Sequence, residues 1–97
     1  MEYDIVIREV LESKFAIYVL LKVKELSASK GFCTKADVMN ADEGNQRTKF
    51  MRINDLIDAK LLDYNDDKRK HHAINISLTN KGKNIADLLD IALRKND

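Results

Sequence analysis

Two short stretches of this chain concentrate side chains able to hydrogen-bond to nucleic-acid groups. In the first, Asn45, Gln46, Arg47, Thr48, Lys49 and Arg52 fall within eight positions that carry three cations and no acid. Arginine can donate twice to a guanine edge, glutamine can pair bidentately with adenine, and threonine offers a hydroxyl or a methyl. Lys49 and Arg52 suit phosphate oxygens, which take cations without regard to base. In the second stretch, Lys68, Arg69 and Lys70 stand together, and His71 and His72 after them gain charge below about pH 6.5. Asp66 and Asp67 partly offset that cluster. A solvated helix face and an ordinary charged hairpin are the competing readings of the two stretches.

Such groups act together only if the fold presents them on one side. Asn45 reads as the N-cap of a helix from Gln46 to about Ala59, with Phe50, Ile53 and Ile57 on its core side. On that phase Asn45, Thr48 and Arg52 face outward, with Arg47 and Lys49 on the flanks. Before it, Thr34 caps a helix of about two turns over Lys35 to Ala41, and Asp42-Glu43-Gly44 supplies the turn. A short helix, a turn and a longer helix form a helix-turn-helix outline.

After Lys60 the apolar period changes from 3.6 to 2. Leu62 and Tyr64, then Ile74, Ile76 and Leu78, alternate with polar neighbours and predict two strands. Asn65 to His72 would form the tip of their hairpin, so the second cationic cluster rides on its end. From there it could touch phosphates or enter a minor groove. Two helices precede this unit. Tyr3, Val6, Ile7, Val10 and Leu11 stripe the first. Ser13 would cap the second, which runs to about Ser27 with Ala16, Val19, Leu20, Val23 and Leu26 on one side and Phe15, Ile17, Tyr18 and Leu21 widening the apolar surface. Thr79 caps a last helix to about Arg94 that carries Ile85, Leu88, Leu89 and Ala92, broadened by Ala86, Ile91 and Leu93. The fold class is α+β and mostly helical: a winged helix-turn-helix with a two-stranded β-hairpin wing and flanking N- and C-terminal helices.

The ordered set Thr34-Lys35-Ala36-Asp37-Val38, Arg52 through Leu62, Asp67-Lys68-Arg69 and Leu78-Thr79-Asn80-Lys81-Gly82-Lys83 resembles the winged-helix regulators of bacteria and archaea. The likeness is to the multiple-antibiotic-resistance regulator (MarR) group and its small archaeal relatives, and it covers about two-thirds of the chain. It implies that residues 46 to 52 read the major groove, that Arg69 lies near the minor groove, and that Asp67 positions it. It also implies dimerisation through the terminal helices and leaves room for a small-molecule effector, which no residue here identifies. Lys60 stands where the group typically has glycine, and the step from Arg69 to Leu78 is longer than usual.

Ninety-seven residues fit one domain, spanning 1 to 97: N-terminal and core helices at 1–28, helix-turn-helix at 34–60, wing at 61–78 and C-terminal helix at 79–95. Seventeen basic against sixteen acidic residues leave a net charge of +1, so the chain is no non-specific nucleic-acid coat, and contact with DNA must be local. With 44% hydrophobic and 34% charged residues, three glycines and no proline, the composition is that of a folded, helix-rich protein. The apolar run Phe15 to Leu21 is too short for a membrane helix, and the start Met1-Glu2-Tyr3-Asp4 lacks the features of a secretory signal, so a cytoplasmic location is expected. The lone Cys33 reads as a small buried hydrophobe, and it shares no paired-ligand spacing with His71 and His72 that would hold a metal. No cofactor motif or nucleophile constellation occurs, so a non-enzyme is expected.

The expected function is sequence-specific binding of double-stranded DNA by a homodimeric transcriptional regulator. Apolar surface on the first and last helices would form the dimer. The alternative is a winged-helix module for protein contacts without DNA binding.

Overall fold

The computed structural model describes residues 4–41, 45–67 and 73–94, apart from the side chains of residues 66, 67 and 73. Along them run α1 (Ile5–Glu12), α2 (Ala16–Leu26), β1 (Cys33–Thr34), α3 (Lys35–Met39), α4 (Gln46–Asp58), β2 (Leu62–Asp67), β3 (Ala73–Leu78) and α5 (Asn80–Leu93). Tyr3, expected on the first apolar stripe, and the turn Asp42-Glu43-Gly44 lie outside the described residues.

The N-caps explain most helix starts. Asp4, Thr34, Asn45 and Thr79 each accept backbone N–H groups of the first turn that no preceding carbonyl could satisfy. Thr34 does so reciprocally: its hydroxyl accepts from the Asp37 N–H at 3.1 Å, and the Asp37 carboxylate accepts from the Thr34 N–H at 3.0 Å. Ser13 departs from the expectation. It ends α1 instead of starting α2, and its hydroxyl donates back to the Val10 carbonyl. The residue ahead of α2 is Phe15, in a left-handed conformation at φ 67° with no side-chain cap. The sharp corner that this conformation makes replaces a capped start.

Helix α2 is the central element. It packs against α1, α3, α4, α5 and β3, which is why it is apolar on several sides. Ala16, Val19, Leu20 and Val23 are fully buried, and the last three join Ile7, Cys33, Val38, Ile53, Leu56, Leu61, Leu62, Ile76 and Ala86 in one core. The expected stripe of α1 mostly reaches the core, with Val10 and Leu11 packed against it beside Ile7, and that of α5 does so only in part. Ile7 is buried, but Val6 faces out; Ala86 is buried and Ile85 and Leu89 are half-buried, whereas Leu88 and Ile91 are 69% and 71% exposed.

The sheet has three strands where two were expected, in the order β1-β3-β2 and antiparallel throughout. The additional strand is two residues long, too short to show a period in sequence. It pairs Cys33 with Ile76 and Thr34 with Asn75, tying the start of the helix-turn-helix to the wing. β2 continues through Asn65 to Asp67, opposite Ala73, so the ribbon is longer than the alternation at Leu62 and Tyr64 implied. Backbone pairing carries a strand through polar residues once the hairpin is registered.

Helix α4 ends in a Schellman motif, with the Leu61 N–H donating to Leu56 at 2.9 Å and the Lys60 N–H to Ile57 at 3.0 Å. Lys60 takes the left-handed position at φ 64°, which accounts for the glycine expected there. Leu56 and Leu61, brought together across the motif, are both buried. α5 starts against this corner. Thr79 accepts from the Gly82 N–H at 3.0 Å and donates to the Lys60 carbonyl at 2.8 Å, so the Leu-Thr-x-x-Gly stretch locks α5 to the end of α4.

Candidate nucleic-acid interface

The first turn of α4 is open to solvent. Asn45, Gln46 and Arg47 are exposed and Thr48 is half-buried. The Asn45 amide oxygen accepts from the N–H groups of Arg47 at 2.8 Å and Thr48 at 3.3 Å, so that oxygen is committed to holding the helix end. Gln46 and Arg47 are exposed at a capped helix start, and a site on a helix holds its side chains more precisely than one on a loop.

The helix is rotated from its expected phase. Its buried residues are Lys49, Ile53 and Leu56, while Phe50 is 45% exposed. At 100° per residue this turns the core face by roughly 65° from the arc of Phe50, Ile53 and Ile57. The outward line becomes Arg47, Met51, Asn54 and Asp58.

Two expected phosphate ligands are therefore displaced. Lys49 is 1% exposed, with its stem packed in the core and its ammonium donating to the Ala41 carbonyl at 2.8 Å. A long aliphatic stem can be buried if the charged head finds an acceptor, and here the head fastens α4 to the chain just beyond α3. Arg52 donates from Nε to the Lys14 carbonyl at 2.9 Å and pairs with the Asp55 carboxylate. It braces α4 against the α1–α2 corner. Of the three cations counted in the sequence, Arg47 is the one left exposed.

Sequence reasoning passed over Lys35, Phe50, Met51 and Asn54 as surface features. The Lys35 ammonium lies 4.1 Å above the centre of the Phe50 ring and donates to the Asn54 amide oxygen at 3.0 Å. Partial burial holds the Lys35 pKa below its ordinary value. Leu56 was the available signal: counting it in the core phase turns Lys49 inward and Met51 outward.

In the second cluster, Lys68, Arg69, Lys70, His71 and His72 lie outside the described residues. The strand register brings Asp67 opposite Ala73, so these five residues connect the two strands. Cys33 is buried. Desolvation and then the Asp37 charge push its thiol up to about 11, away from the reactive thiolate. Among the described residues, no group of three His, Cys, Asp or Glu side chains is placed to hold a metal ion, and no helix is long and apolar enough to cross a membrane.

No protein-family model and no curated protein sequence matches the chain. Solved structures do match it. A possible HxlR family transcriptional factor from Thermoplasma volcanium superposes with a TM-score of 0.74 at 20% identity, over 96% of this chain and 80% of its own. An Archaeoglobus fulgidus protein gives 0.72 at 22% identity, over 93% and 99%. A MarR protein from Peptoclostridium difficile gives 0.70 at 22% identity; the match takes in 92% of this chain but 56% of that one, so the present chain spans little more than half its length. The order of helices, the short β1, the helix-turn-helix and the hairpin thus give this chain the winged helix-turn-helix fold found in MarR and HxlR-type proteins.

Proposed function

We propose that the chain is a transcriptional regulator that binds double-stranded DNA in a sequence-specific way, with α4 in the major groove and the β2–β3 hairpin on the backbone or in the minor groove. The observation that carries this reading is the exposed first turn of α4, where Asn45 fixes the helix end and Gln46 and Arg47 project beyond it. A recognition helix reads bases with that end. Lys68, Arg69 and Lys70 at the hairpin tip would supply sequence-independent contacts. Similarity of fold to proteins described as transcription factors supports the reading.

The regulator acts as a homodimer in this reading. Ile5 and Val6 on α1 and Leu88, Ile91 and Leu93 on α5 are large apolar side chains left in water. A second copy would cover them about a two-fold axis, placing two recognition helices about 34 to 36 Å apart on a palindromic site. The protein-contact reading draws on Phe50 and Met51, apolar and exposed on the same helix. Selection of binding sites from random duplex DNA, with the size of the complex measured at two salt concentrations, separates the two. The regulator reading expects an enriched inverted repeat bound by two chains. A chain that enriches no sequence at either salt concentration belongs to the protein-contact reading.

A further inference from the structure

With Lys49 buried and Arg52 committed to Lys14 and Asp55, α4 offers a DNA groove less positive charge than its sequence suggests. What it does offer is an ordered line. Arg47 comes first. One turn on is Met51, 46% exposed, with Phe50 beside it under the Lys35 ammonium. Next comes Asn54, whose amide oxygen is occupied by Lys35, and then the exposed carboxylate of Asp58. Hydrogen bonding alone gives the middle of this line little to read with. Its chief resource is an unbranched, polarizable side chain that adapts to irregular apolar surfaces.

The floor of the major groove carries one apolar group, the 5-methyl of thymine. We propose that Met51 is a specificity-determining residue of α4 and selects thymine by packing its side chain on that methyl group. The proposal rests on the reading of α4 as a recognition helix. Met51 stands four positions after Arg47, about 6 Å along the helix axis, and base pairs rise about 3.4 Å. The selected thymine therefore lies one or two base pairs from the group that Arg47 holds. Phe50, the residue before Met51, is held under the Lys35 ammonium and adds exposed apolar surface to the same stretch of α4.

Replacing thymine by uracil removes the methyl group and keeps every hydrogen-bonding group. In the duplex that the full chain selects from random DNA, each thymine is replaced in turn by deoxyuridine, and binding is measured for wild type, Met51→Ala and Met51→Leu. Wild type should lose about fourfold in affinity at one thymine of each half-site, the worth of one buried methyl. Met51→Ala should show no loss there and bind the thymine duplex about as weakly as wild type binds the uracil duplex. Met51→Leu should keep most of the discrimination. Thermal melts of the exposed-site variants check that the fold is intact. The proposal is overturned if Met51→Ala discriminates thymine from uracil as wild type does, or if wild type discriminates at no position. A chain that selects no sequence overturns the regulator reading itself and this proposal with it, and that failure is distinct from a failure of Met51 alone.

Discussion

A Cβ at Gly82 would stand 2.0 Å from the carbonyl oxygen of Leu61, closer than any non-bonded pair can approach. The close approach lets α5 begin directly against the Schellman corner of α4. The obstructing atom is backbone, and the same oxygen accepts from the Thr79 N–H at 3.1 Å, so it has little freedom to move. Gly82→Ala should destabilise the fold by at least about 2 kcal/mol, lowering Tm by on the order of 10 °C. Thermal unfolding followed by circular dichroism measures it. An unchanged Tm would mean that α5 does not dock here.

Lys60 predicts the opposite sign. A side chain at φ 64° carries a steric cost that glycine lacks, and Lys60 is exposed. Lys60→Gly should stabilise the chain by about 0.5 to 1 kcal/mol after the extra flexibility of unfolded glycine is offset. Urea denaturation with an unchanged m-value would show it as a higher midpoint.

Acid should loosen the junction of α2 and α5. The Lys24 ammonium lies 2.7 Å from Asp90 and 3.0 Å from Asp87, and Arg94 also pairs with Asp90. Hydrogen bonds from Lys24 and then Arg94 hold the Asp90 pKa below its ordinary 3.8. A depressed carboxylate pKa gives stability that is present above 3.8 and lost as pH falls through the folded value. The Lys24 pKa is raised above 10.5 by the same partners, so its share is fully present below that pH. Asp90→Asn should lower Tm at neutral pH and flatten its decline below pH 4, about where the ordinary carboxylate titrates. Equal acid slopes in the two proteins would remove Asp90 from the account.

Lys49 should behave as a core residue. Lys49→Met keeps most of the volume and removes the ammonium that meets the Ala41 carbonyl. It should leave the salt dependence of DNA binding unchanged, because a buried ammonium neutralises no phosphate. A slope reduced by about one would place Lys49 at the DNA instead.

How much of this was legible in the chain depends on the kind of signal. Side chains that bond their own backbone announce themselves: Thr34, Asn45 and Thr79 cap the helices expected of them. The change of period after Lys60 marked the hairpin, though pairing extends it to Asp67. The phase of α4 misled because lysine reads as surface and phenylalanine as core. In the structure the Lys49 stem fills the interior, and Phe50 stays out, held by the cation above its ring. The α1–α2 corner was hidden for another reason: Phe15 takes a left-handed conformation that a bulky residue rarely adopts, so its sequence carries no mark of it.

The central claim is that the exposed start of α4 reads DNA, and the most direct measurement is the affinity of wild type and Arg47→Ala for the selected duplex and a scrambled one across a salt series. Wild type should prefer the selected duplex by at least about a thousandfold. Arg47→Ala should lose roughly 1 to 3 kcal/mol on the selected duplex and keep its fold. Equal binding of the two duplexes by wild type, or an Arg47→Ala protein as tight and as selective as wild type, would contradict it.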